Sequence, residues 1–225
     1  MMNNELQIVP TADGSNTIYN PQVGENYHSK HGALQESLHV FVNAGLTYFL
    51  DTNNVKQASI LEVGFGTGLN FLLSADFCTN HQIQLNHTGI EAYPLSDELI
   101  LQTGYDTYVP STIWESFKAA YPTALKNNVA LNSYCSFKIE ACKLLDFSSE
   151  VKYDIIYFDA FAAIHQPEMW NEEAIGHTIK FLKPGGVFVT YAITGNLKRM
   201  LKALGLTIQK IPGAAGKREM LRATL

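Results

Sequence analysis

Residues 60–70 read Ile-Leu-Glu-Val-Gly-Phe-Gly-Thr-Gly-Leu-Asn, an apolar run that passes straight into three glycines at alternate positions. Ile60, Leu61 and Val63 suit a buried parallel strand, and Leu69, Phe71, Leu72 and Leu73 then suit a helix. Gly64, Gly66 and Gly68 remove side chains where the chain must turn sharply, and they let a ligand lie against backbone. A dinucleotide fingerprint spaces its glycines G-x-G-x-x-G, the last one packing the helix that receives the pyrophosphate. Here the spacing is G-x-G-x-G, with an acid, Glu62, two residues before the first glycine.

The rest of the chain fits an α/β sheet around that turn. Strands are expected at 58–63, 87–91, 134–140, 153–159 and 186–191, and helices at 69–77, 95–103, 168–182 and 195–204. Such alternation implies a mostly parallel sheet with helices on both faces. The stripe Leu34, Leu38, Phe41, Val42 and Leu46 adds an amphipathic helix ahead of the first strand. Before it, residues 6–9 and 17–20 suit a small hairpin around the turn Asp13-Gly14-Ser15-Asn16. Residues 206–211 and 218–224 are two strand-like runs with no room for a helix between them, so they must pair antiparallel. Residues 105–132 look like an insertion before the third core strand, with a short helix near 114–121.

At 225 residues and 46% hydrophobic content, the chain is expected to form a single domain, 1–225, with 1–30 as an N-terminal extension. No apolar run approaches the ~20 residues of a membrane span, and residues 1–10 lack the pattern of a secretory signal. Cys78, Cys135 and Cys142 form no C-x-x-C pair and suit reduced, mostly buried thiols in a cytoplasmic protein. His28 and His31 lack the partner ligands of a zinc site, so no metal is expected. The net charge of −5 is unevenly spread. Residues 180–225 hold nine Lys/Arg and one acid, Glu219, giving +8 against −13 for the remainder. A segregated basic end suits a phosphate-bearing partner, and equally a plain solvated face.

The Glu62 to Gly68 spacing resembles the first motif of class I S-adenosylmethionine-dependent methyltransferases (E/D-x-G-x-G-x-G), and a terminal β-hairpin after five parallel strands is that family's pattern. The fold expected is therefore a Rossmann-like, mostly parallel seven-stranded sheet with a C-terminal antiparallel hairpin. Ligands of such sheets bind at the carboxyl ends of the strands. Those ends carry Glu91, Glu140, Asp159 and Tyr191. Glu91, 23 residues after Gly68, is placed to accept hydrogen bonds from ribose hydroxyls, and Glu140 to meet an adenine amino group or a neighbouring backbone. Asp159 closes the apolar run Ile155-Ile156-Tyr157-Phe158 and would face the methyl acceptor.

Four longer segments narrow the resemblance. They are Tyr27-His28-Ser29-Lys30-His31-Gly32-Ala33-Leu34-Gln35-Glu36-Ser37, the run from Glu62 to Leu72, Asp159-Ala160-Phe161-Ala162 with Gln166-Pro167-Glu168-Met169-Trp170, and Gly216-Lys217-Arg218-Glu219-Met220-Leu221. Together they resemble the methyltransferase domain of the bifunctional tRNA wobble-uridine enzyme MnmC. That resemblance implies methyl transfer to the primary amine of 5-aminomethyl-2-thiouridine in tRNA, with a functional link to enzymes that make the aminomethyl precursor. It implies S-adenosylmethionine binding by Gly64, Gly66, Gly68 and Glu91, with help from the segment containing Tyr27, His31 and Gln35. Glu62, Asn70 and Glu140 join that donor-site set. Asp159 matches the acid expected at the acceptor. The resemblance places Phe161 and Trp170, with Tyr191, to stack on the uridine, and Lys217 and Arg218 to meet tRNA phosphates, with pairing to a strand-end carboxylate as the alternative for Arg218. The family often has Asp-Gly-Phe where this chain has Asp159-Ala160-Phe161, and an aromatic and an arginine near Ala214 and Ala215. No flavin-bearing second domain is expected. A small-molecule or protein methyltransferase and a polyamine synthase-like aminopropyl transferase share the sheet and remain open, as does a non-catalytic binding module.

Overall fold

A computed structural model describes residues 5–225. Residues 1–4, the start of the expected N-terminal extension and of the stretch read as lacking a signal, lie outside the described residues. The chain opens with a three-stranded antiparallel sheet, β1 (Gln7–Pro10), β2 (Asn16–Asn20) and β3 (Glu25–Asn26). Its β1–β2 turn does more than reverse direction. Ser15 Oγ accepts from the backbone N–H of Ala33 (3.0 Å) and Leu34 (3.1 Å), and Asp13 accepts from Gln35 N–H at 3.0 Å. Those are orphan donors of the helix that follows, which a side-chain acceptor must satisfy when buried. The hairpin thereby caps α1 (Ala33–Glu36) and fixes the height of Glu36.

From α1 the helix runs on through a π-helical stretch, Ser37–Thr47, into α2 (Tyr48–Asn53). The amphipathic helix expected there is present, but its wider winding shifts the buried face. Val40, Phe41, Val42, Leu46, Phe49 and Leu50 are buried, whereas Leu38, counted in the apolar stripe, is 36% exposed. Gly45 faces the sheet, where a Cβ would come within 2.9 Å of the Tyr157 ring and 3.0 Å of Val189. Gly45→Val is therefore expected to push the helix off the sheet and cost about 1–3 kcal/mol. Urea unfolding measures it, and an unchanged midpoint would refute the close approach.

The main sheet follows, with β4 (Gln57–Val63), α3 (Leu69–His81), β5 (Gln84–Ile90), α4 (Asp97–Leu101), α5 (Ser111–Ala124), β6 (Val129–Ala130) and β7 (Cys135–Glu140). Then come β8 (Tyr153–Phe158), α6 (Glu172–Ile179), β9 (Leu182–Thr190), α7 (Gly195–Ala203), β10 (Thr207–Pro212) and β11 (Glu219–Thr224). The strand order is β10-β11-β9-β8-β4-β5-β7-β6, eight strands rather than the expected seven. The extra one is the two-residue edge strand β6, antiparallel to β7. β7, β5, β4, β8 and β9 are mutually parallel, and β11 and β10 add the antiparallel hairpin. Strand order reverses on either side of β4, so the crevice between β4 and β8 is the place where a ligand of this architecture lies. The helix expected at 168–182 starts later. A 3₁₀ turn, Pro167–Trp170, precedes α6, whose N-cap Asn171 accepts from Ala174 N–H at 2.8 Å.

Candidate active site

The glycine turn emerges from β4 with Gly64, Gly66 and Gly68 all at positive φ (85°, 52° and 78°). Only glycine takes such angles without strain, and three within five residues leave a bare backbone cradle. Gly64 and Phe65 both donate to Ile90 O (3.0 and 3.1 Å), which ties the turn to the end of β5. Phe65 folds under it against Gly89, where a Cβ would overlap the Phe65 ring. Above the cradle lies Tyr27, whose ring carbon would be 2.9 Å from a Cβ on Gly66. Its ring meets Phe161 edge to face at 5.1 Å.

Glu91, just past β5, accepts from Gly66 N–H (2.9 Å) and Tyr93 N–H (3.0 Å). Burial raises its carboxyl pKa against the pull of those donors. Each oxygen keeps a second lone pair, so the carboxyl both shapes the turn and retains capacity for hydroxyl donors. Glu140 ends the adjacent β7. Its carbonyl accepts Glu91 N–H at 3.0 Å and its carboxylate pairs with Lys138. Thr67 is buried beneath the turn, reached by Tyr105 OH at 3.2 Å, and His28 beside it has its pKa lowered to about 4 by burial.

The acid ahead of the glycines has another place. Glu62 is fully buried, accepting from Asn70 Nδ2 and His87 Nε2, each at 2.8 Å. Asn70 Nδ2 also reaches Asp159 at 2.8 Å, so one amide, on the first turn of α3, links the core acid to the acid at the end of β8. Asn70 Oδ1 is buried without a hydrogen-bond partner. Glu62 is thus a positioning residue within the core and does not line the cradle as the resemblance suggested.

Asp159 faces a second cluster. Burial first, and the nearby carboxyls of Glu36 and Glu62 next, raise its pKa well above the usual carboxylate range, against the opposing effects of Asn70 and Lys217. Glu36, 6% exposed, accepts from Ser29 N–H (2.8 Å) and from Lys217 Nζ (2.8 Å). The same ammonium lies 3.7 Å from the centre of the Tyr191 ring, and Tyr191 OH donates to Ala160 O at 2.9 Å. The ammonium of Lys217 is thus committed to Glu36 and Tyr191, away from the tRNA phosphates anticipated for it.

The remaining expected residues divide. Phe161 is partly exposed at the crevice beside Tyr27. Trp170 is not a stacking surface: it is 8% exposed, packs edge to face on Phe158, and donates to Phe161 O at 2.7 Å. It supports the Phe161 loop from below. His31 is exposed and lies over Gly216, so it joins the N-terminal segment to the last hairpin turn. Gln35 is exposed and Arg218 is exposed, with no ion pair among the described residues. Glu36 and His87 are the residues that sequence reasoning missed. Neither carries a signal along the chain: Glu36 stands between Gln35 and Ser37 and His87 between Asn86 and Thr88, a setting that reads equally well as surface.

A bare glycine cradle, a half-buried acid at the end of β5 and an amide oxygen beside Asp159 with no partner among the described residues fit an adenosine-bearing cation bound across the carboxyl edge. Fold and site define a class I S-adenosylmethionine-dependent methyltransferase. The chain belongs to a family of S-adenosyl-L-methionine-dependent methyltransferases, whose profile matches residues 110–225. It is 28% identical over 221 residues to the tRNA 5-methylaminomethyl-2-thiouridine biosynthesis bifunctional protein MnmC of Magnetococcus marinus, covering 93% of this chain and 32% of that protein. The protein of the same name from Pseudoalteromonas translucida is 30% identical, over 88% of this chain and 33% of its own length. The chain thus spans about a third of these curated relatives. The crystal structure of MNMC2 from Aquifex aeolicus superposes over the whole chain and 72% of its own, with a TM-score of 0.79 at 24% identity, and shows the same fold. S-adenosylmethionine is the cofactor of the family.

Proposed function

We propose that this protein transfers a methyl group to the primary amine of 5-aminomethyl-2-thiouridine at the tRNA wobble position, giving the 5-methylaminomethyl form. The observation that carries the reading is the acceptor wall, where Asp159 and Glu36 set carboxyls beside the crevice at the end of β8. Such a wall favours a cationic amine approaching a cationic donor, which an apolar wall would repel. The names of the relatives, which concern biosynthesis of 5-methylaminomethyl-2-thiouridine in tRNA, support it.

The bound cofactor supplies an activated methyl group. Gly64, Gly66 and Gly68 form the cradle for it, Glu91 and Glu140 its polar edge, and Tyr27 its cover, while His31 and Gln35 act only through the segment that carries Tyr27. An alkylamine is protonated near neutral pH and must lose a proton to attack. A carboxyl with a raised pKa is a stronger base than an ordinary carboxylate, so Asp159 is suited to accept that N–H proton as the new bond to carbon forms. Asn70 fixes its oxygen for the purpose. Holding nitrogen and methyl group in near-attack geometry contributes about 7–11 kcal/mol. Phe161 offers the uridine an exposed aromatic face.

In this reading residues 1–225 act as one methyltransferase unit, with 1–30 as an extension that shapes the donor site and 105–132 as an insertion. It works in the cytoplasm downstream of the enzymes that make the aminomethyl group. No helix among the described residues is long and apolar enough to cross a membrane. The test is incubation with labelled S-adenosylmethionine and tRNA lacking the final methyl, followed by nucleoside analysis. Label in 5-methylaminomethyl-2-thiouridine is expected; label only in protein or small molecules would overturn the substrate.

A further inference from the structure

Four of the nine cations in residues 180–225 gather at one place. Lys198, Arg199 and Lys202 on α7 and Lys210 on β10, with Gly195 and Ile208, line a groove of about 380 Å³. No acid lines it. The nearest partner carboxylate is Glu219, 3.9 Å from Lys210 Nζ, and among the described residues Lys198, Arg199 and Lys202 form no ion pair. Lys198 and Lys202 are i, i+4 neighbours of like charge, and Lys198 stands one turn from the positive end of the helix. Both arrangements cost stability in the free protein, and both costs are relieved by an anion in the groove.

The groove lies at the level of the active site. Lys210 is in register with Leu221, and Leu221 with Thr190, the last residue of β9 and the neighbour of Tyr191. At about 4.8 Å per strand, Lys210 is about 10 Å from the end of β9 and about 14 Å from the end of β8, where Asp159 sits. A nucleic-acid strand rising about 3.4 Å per nucleotide crosses that distance in roughly four nucleotides. Three cations with no ion pair among the described residues, and Lys210 held only loosely by Glu219, match successive backbone phosphates better than a single small anion.

We propose that this α7–β10 groove is a docking surface for the phosphate backbone of a structured RNA, holding the acceptor tRNA while its wobble base enters the crevice. The proposal rests on the tRNA reading above. Its test compares the full-length protein with the variant Lys198→Ala/Arg199→Ala/Lys202→Ala/Lys210→Ala. Binding of unfractionated tRNA is followed across a salt series, alongside S-adenosylhomocysteine binding and methyl transfer. We expect tRNA affinity to fall by about tenfold or more, and the log–log salt slope to drop by about three, with S-adenosylhomocysteine affinity unchanged. In transfer the loss should fall on KM and leave kcat unaltered. Coincident tRNA-binding curves for the two proteins, including no binding by either, would overturn the groove. So would competition by poly-glutamate as effective per charge as by tRNA, which assigns the surface to an acidic protein. Wild-type binding that depends on the groove but leads to no methyl transfer would leave the groove standing and refute the substrate.

Discussion

Asp159→Asn is expected to lower methyl transfer by about 10²–10⁴-fold and, at the same time, to make the protein harder to unfold near neutral pH. The two effects have one origin. The carboxyl is withdrawn from much of the solvent and stands near Glu36 and Glu62, so its folded pKa is raised. A carboxyl with a folded pKa above its unfolded value of about 3.9 contributes stability that is complete at low pH and is lost as pH rises through the folded value. Asparagine carries no such proton. Its advantage over aspartate should vanish near pH 3, grow through the acid range, and level off above the folded pKa. Melting temperatures of both proteins across pH 3–8, with S-adenosylhomocysteine titrations to show that donor binding persists, provide the check. A variant less stable than the wild type at neutral pH, or one that turns over normally, would remove Asp159 from the role given to it.

The second large effect belongs to Glu62→Ala. Its carboxylate is the acceptor for Asn70 Nδ2 and His87 Nε2 in a site with no solvent access. Each donor left unsatisfied costs about 1–3 kcal/mol, so the variant should lose roughly 2–6 kcal/mol in urea unfolding. Asn70 would also lose one of its two anchors, and with it the orientation of Asp159. Glu62→Gln should cost less, because its amide oxygen still accepts from Asn70 Nδ2 and only the His87 contact loses its acceptor. Equal losses for the two variants would show that cavity, not hydrogen bonding, dominates there.

The sheet was legible because its signals are local. Alternating apolar runs marked the five parallel strands, the spacing of Gly64, Gly66 and Gly68 marked the turn, and the short connection between 206–211 and 218–224 left antiparallel pairing as the sole geometry. The π-helical run was hidden because a wider helix buries nearly the same apolar residues as an α-helix, and only Leu38 betrays the difference. Buried polar groups were harder still. Glu36, Glu62 and His87 acquire their meaning from partners 181, 8 and 25 residues away, and no pattern along the chain announces such pairs. Lys217 misled for the same reason, since a lysine in a basic tail looks solvated until its partner is known. Trp170 was a matter of direction: the side chain that could have faced a base turns inward to hold the Phe161 carbonyl.

The contact between Glu36 and Lys217 joins the capped first helix to the last hairpin turn, 181 residues later. Closing so long a loop is entropically costly and pays back late, once the intervening sheet has brought its ends together. On a chain made from its N-terminus onward, the donor cradle between β4 and α3 can form well before the acceptor wall has its final side chain. On the function proposed above, a chain whose last hairpin has not docked lacks the Lys217 contact to Glu36, so methyl transfer is expected to report that the last strand is in place.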